Sequence, residues 1–200
     1  YDEFQDWAGP TLAERQGYNL KKIANYYTNK GYVTVIPLER YRKVNTIVGV
    51  TQLLRNKPYV QKNNIHLIGV SEGALLSVIA ANKIENVTSI TLIAPIPIHD
   101  KGHLSKDFYL INKVQQPKIP ILILFAKDVA WRIKAQKKAF HLIQNKYSNI
   151  QTKSYTVKKR WFWSTQHKFN KDINLFIMKH YNHHHARQNT YKSPQYQPSL

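Results

Sequence analysis

Apolar positions along the chain fall into blocks of two kinds that alternate. Residues 65–68, 90–94 and 119–125 are apolar runs without a period of two, the pattern of strands covered on both faces. Residues 87–94 as a whole and 150–157 also read as strands, and the β-branched run 32–36, closed by Pro37, gives another strand signal. Between these, apolar residues recur at helical spacing over 12–29, 44–54, 72–81, 130–146 and 173–181. Pro10 and Thr11 stand at the start of the first helix and Gly31 stops it. Residues 98–118 lack periodicity and predict a loop or small insertion. After Tyr181 aliphatic residues almost vanish, which predicts one domain over 1–181 and a disordered polar tail over 182–200. Strands alternating with helices of this length predict an α/β fold, a mostly parallel central sheet with helices on both faces.

Composition narrows the chemistry. With 200 residues and 42% hydrophobic content, the chain can bury a real core. It has no cysteine, which excludes disulfides, thiolate metal sites and a cysteine nucleophile, and fits a reducing compartment without fixing one. No apolar run approaches the ~20 residues needed to span a bilayer. The formal charge of +19 and pI near 10.0 would draw nucleic acid, anionic lipid or acidic substrates. Joint enrichment in Lys, Asn, Ile and Tyr is equally the mark of AT-rich coding, so the charge by itself predicts no specific nucleic-acid partner. No HExxH, EF-hand loop, Walker loop or GxGxxG occurs, so no metal or cofactor is expected.

The chemical signal is IHLIGVSEGALL, residues 65–76, where Gly69 and Gly73 flank Ser71 at a predicted strand-to-helix junction. A serine held on a sharp turn between strand and helix needs small residues at both flanking positions, because strand and helix approach closely there. The serine would then sit at a helix N-terminus, where backbone N–H groups stabilise an anion. The same sequence also reads as a plain turn in which Ser71, followed by Glu72, caps the helix.

This stretch, with NNIHLI before it and LLSVIAANKIENVTSITLIAPIPI after it, resembles the nucleophile elbow, helix and next strand of the α/β-hydrolase family; GYVTVIPLERY resembles that family's strand ahead of the elbow. The similarity spans roughly residues 5 to 181. It implies a cofactor-free serine hydrolase acting on an ester, or less readily an amide or peptide bond, of a small or surface-presented acyl substrate. The family's triad order, serine then acid then histidine, implies Ser71 as nucleophile, Asp128 of ILILFAKD as acid and His167 of STQHKF as base. Asp128 could instead cap the helix over 130–146, and His167 could be a surface histidine. Gln166 stands where the family often has glycine. The resemblance implies the Glu72 amide as one oxyanion-hole donor. The second usually comes from a loop after an early strand, and the early strands are missing from this sequence. Trp7, Ala8 or their neighbours are the candidates, or the donor lies upstream of Tyr1, which is not a methionine. An upstream piece leaves cytoplasmic, secreted and periplasmic locations open.

Two further groups bear on partners. His180, His183, His184 and His185 read as a tail histidine run, with nothing in the sequence to fix a metal geometry. Lys158-Lys159-Arg160-Trp161-Phe162-Trp163 interleaves cations with aromatics and suits an anionic lipid surface, an acyl pocket, single-stranded nucleic acid or a solvated basic edge. The alternative to an enzyme is therefore a non-catalytic hydrolase-like protein that binds nucleic acid or anionic membrane through a basic surface. The sequence leaves the oligomeric state open.

Overall fold

The computed structural model describes Glu14, Gly17, residues 19–37, 43–95, 119–126, His141 and residues 143–156 and 166–190, with residues 182–190 through their backbone. Its elements are α1 (Leu20–Thr28), α2 (Lys43–Arg55), β1 (Ile65–Val70), α3 (Glu72–Ala81), β2 (Val87–Ile93), β3 (Ile121–Ala126), β4 (Ile150–Tyr155) and α4 (Gln166–Thr190). The strands form one sheet in the order β1-β2-β3-β4, and every neighbouring pair is parallel. The expected α/β architecture is thus present, and no strand precedes β1 among the described residues.

Strand β3 shows why these runs lack a polar face. Ile121 and Ile123 join one core cluster with Val44 of α2, Leu76 and Ile79 of α3 and Ile143. Leu122, Leu124 and Ala126 join the other, with Leu20 and Tyr27 of α1 and Phe169, Ile173 and Phe176 of α4. The sheet is therefore the middle layer of three, and helices α2 and α3 cover one face while α1 and α4 cover the other. Every residue of β2 is buried. A strand covered on both faces has no solvent side to mark with polar residues.

Three sequence expectations change. The helix read over 12–29 is interrupted: Glu14 is helical, Gly17 turns the chain at φ 95° with its N–H donating to the Glu14 carbonyl at 2.8 Å, and α1 starts afresh at Leu20, where the Asn19 side chain accepts a hydrogen bond from the Lys22 N–H at 2.8 Å. It ends at Thr28, and Gly31, at φ 85°, turns the chain three residues on. The segment 32–36 forms no strand ladder among the described residues. It lies close to β1, with the Tyr32 ring edge-on to His66 at 6.3 Å and Ile36 packed in the same cluster as Val70. Its β-branched composition favours a strand, but a ladder needs a register with a neighbour as well. The closing helix, read over 173–181, starts at Gln166 and continues to Thr190, so residues 182–190 of the expected polar tail are helical. Residues 191–200 and 98–118 lie outside the described residues.

Candidate active site

The site is built from the junction of β1 and α3. Strand β1 ends at Val70, paired with Ile93, and the Ser71 N–H still donates to the Ile93 carbonyl at 2.9 Å. Helix α3 starts at the very next residue, Glu72. Reversing the chain in so short a space puts Ser71 at φ 55° and ψ −114°, a conformation that side chains with a Cβ rarely adopt. The Ser71 carbonyl accepts from the Ala74 N–H at 3.2 Å.

The flanking glycine Gly69 explains how the bend closes. A Cβ at Gly69 would lie 2.1 Å from the Gly73 carbonyl oxygen and 2.6 Å from the Ala74 Cα. Backbone occupies that space on the helix side, so nothing can yield. The Gly73 carbonyl oxygen also accepts from Ser77 Oγ at 2.8 Å, which fixes the first turn of α3. The spacing of Gly69, Ser71 and Gly73 thus corresponds to a real close approach. The capping alternative fails, since the Ser71 side chain makes no capping hydrogen bond to α3. Helix α3 is buried from Ala74 to Ala81, and its N-terminus, with Glu72 in its first turn, meets the half-buried Ser71.

A parallel sheet brings the carboxyl ends of its strands to one edge, which is where α/β proteins place their ligands. Ser71 follows β1 there, and Ala94 follows β2. Ala94 is buried with φ 46°, so the end of β2 is strained as well. The sequence carried no signal for it, because alanine marks neither turn nor chemistry. Asp128 comes two positions after Ala126, the last residue of β3, and lies outside the described residues, as do Trp7, Ala8 and the 158–163 stretch. His167 is exposed and is the second residue of α4, inside the helix instead of in the loop before it. Its neighbour Gln166 is buried and donates through Nε2 to the Asn19 carbonyl at 3.3 Å, tying the start of α4 to the start of α1.

Two half-buried polar groups carry no motif, His66 near the start of β1 and Asp172 beside Tyr155 at the carboxyl end of β4. His66 of β1 shares a hydrogen bond with Ser89 Oγ of β2 through Nδ1, at 2.8 Å, while Nε2 is buried with no hydrogen-bond partner. Burial first, then the neighbouring His180, pushes the His66 pKa down to about 4. Asp172 of α4 accepts from Lys153 Nζ and Tyr155 OH of β4, each at 2.5 Å. Burial and then the Asp172 carboxylate push the Tyr155 pKa up. Among the described residues no group of three or more His, Asp or Glu side chains is arranged to hold a metal ion. No helix among them is long and apolar enough to cross a membrane.

Solved structures share the fold. The esterase Pf2001 of Pyrococcus furiosus superposes with a TM-score of 0.57 at 11% identity, over 83% of this chain and 78% of the esterase. An alpha-beta hydrolase of Vibrio vulnificus gives a TM-score of 0.51 at 16% identity, over 78% of this chain and 69% of that one. In another crystal form of the Pyrococcus esterase the match covers 62% of that chain, less than two thirds of its length. No curated protein matches the sequence. Residues 49–170, which run from α2 through the bend at Ser71 to the first turns of α4, match the family described as BAAT / Acyl-CoA thioester hydrolase C terminal. The chain belongs to that family, and its sheet and helices are those of an α/β hydrolase.

Proposed function

We propose that the protein is a serine hydrolase that cleaves carboxylic esters or thioesters through an acyl-enzyme on Ser71. The reading rests on one observation: Ser71 sits at φ 55° at the tip of a strand-to-helix bend, with its hydroxyl making no capping bond to α3. A cap would be satisfied by a relaxed backbone, whereas this bend holds the side chain at the sheet edge at a cost of about 1–3 kcal/mol. That is the arrangement of a nucleophile elbow.

In this mechanism His167 takes the Ser71 proton as Oγ attacks the acyl carbonyl carbon. Asp128 orients the imidazole and stabilises its charged form. The carbonyl electron pair moves onto oxygen, where the Glu72 N–H at the start of α3 donates to it; such a donor is typically worth about 3 kcal/mol in the transition state. His167 then protonates the leaving alcohol or thiol. A second donor, from Trp7 or Ala8 or from residues upstream of Tyr1, would complete the oxyanion hole. Water, deprotonated by His167, releases the acid and restores Ser71. The thioester arm draws on the family's name, and the +19 charge suits polyanionic leaving groups such as coenzyme A phosphates.

The test uses a fluorophosphonate probe with matched short-chain p-nitrophenyl ester and acyl-CoA substrates. Labelling and turnover of the folded full chain, both lost in Ser71→Ala, support the reading. Absence of labelling and of turnover in a protein shown by circular dichroism to be folded overturns it in favour of a binding protein.

A further inference from the structure

Helix α4 has a face that the core does not use. Phe169, Ile173, Phe176 and Ile177 are buried against the sheet. On the opposite side, Lys168, Lys171, Leu175, Met178 and Lys179 recur three to four positions apart and are all exposed, with Leu175 57% and Met178 43% open to solvent. Leu175 lies near the middle of this stripe, with cations on either side of it along the helix. The one acid near it in sequence, Asp172, is engaged by Lys153 and Tyr155. Helix α1 packs in the same core layer and adds the exposed Lys21 and Lys22.

We propose that this face of α4 is a docking surface for anionic lipid bilayers. Cations flanking exposed aliphatic side chains match both halves of a lipid interface. Ammonium groups meet headgroup phosphates, and Leu175 and Met178 enter the acyl boundary. A nucleic acid would answer the lysines but leaves Leu175 in water, and Tyr32, the ring whose hydroxyl donates to Met178 Sδ at 3.4 Å, is half-buried. The inference is independent of the catalytic reading, because none of its residues is placed in the triad or the oxyanion hole.

The experiment is co-sedimentation of the full chain with phosphatidylcholine vesicles, with and without phosphatidylglycerol, at low and high salt. Binding should require phosphatidylglycerol and weaken with salt. Each lysine near an anionic surface contributes about fivefold to partitioning, so Lys171→Gln/Lys179→Gln should lower it roughly twenty-five-fold. Leu175→Gln should lower it severalfold while leaving retention on single-stranded DNA unchanged, and both variants should keep wild-type turnover of a soluble ester. Equal binding to neutral vesicles, or no binding to anionic ones, overturns the proposal. So does a Leu175→Gln protein that binds anionic vesicles like the wild type, which reassigns the face to general polyanion attraction. Self-association abolished by Leu175→Gln without vesicle binding assigns the face to a second copy of the chain and equally overturns it.

Discussion

A serine at φ 55° costs about 1–3 kcal/mol against a relaxed backbone, and glycine at the same position would be nearly unstrained. Ser71→Gly should therefore stabilise the fold by about 1 kcal/mol, a rise in Tm of roughly 2–4 °C for a chain of this size, while abolishing fluorophosphonate labelling. Differential scanning fluorimetry with the labelling assay checks both at once. Gly69→Ala should act in the opposite direction. Its Cβ would meet the Gly73 carbonyl at 2.1 Å, so we expect a loss of about 3 kcal/mol and of labelling, read by urea denaturation and probe reactivity. At this scale the need for glycine at position 69 was legible, because the close approach of Gly69 to Gly73 involves residues only four apart in sequence. The failure of Ser71 to cap was not legible. Capping and projection use the same residues, and only the dihedral angles separate them.

At the scale of elements, packing decides which groups titrate. His66 is neutral between β1 and α4, with a pKa of about 4 against about 6.5 in an unfolded chain. A depressed basic group stabilises the fold above the unfolded pKa, and that stability is lost as pH falls from about 6.5 toward 4. At 1.36 kcal/mol per unit, the loss is about 3 kcal/mol by the bottom of the window. Urea midpoints between pH 7 and pH 4 should fall more steeply for the wild type than for His66→Gln. The Tyr155 bond to Asp172 is a second case. Tyr155→Phe should cost about 1.5–3 kcal/mol, since the acceptor is a partly buried carboxylate, and chemical denaturation at pH 7 would show it. The strands and α3 could be read from the chain because their apolar runs are continuous and their ends are marked locally. The break between Glu14 and α1 was not legible, since Gly17 and Asn19 interrupt a pattern that the apolar spacing carries through. The strand expected over 32–36 has no ladder among the described residues, because pairing depends on a neighbour that its own residues do not specify. His66 was invisible, because a histidine in an apolar strand carries no sign of what it will face.

For the whole molecule, 30 lysines and arginines against 11 acids leave strong self-repulsion in the compact state. Salt at a few tenths molar shortens the screening length to a few ångströms, so Tm should rise between 20 mM and 0.5 M sodium chloride, a trend that scanning calorimetry would show. An unchanged or falling Tm would mean that ion pairs such as Lys153–Asp172 outweigh the repulsion. The sequence by itself determined the α/β class, the order of elements and the serine between two glycines, because each is written in the periodicity or contact of near neighbours. The tertiary structure alone decided that Ser71 is strained instead of capping, that His167 belongs to a helix, that His66 is held neutral by its burial and that Leu175 of α4 stands exposed between lysines. Each of these depends on what a residue meets from a distant part of the chain, and spacing along the sequence does not record that.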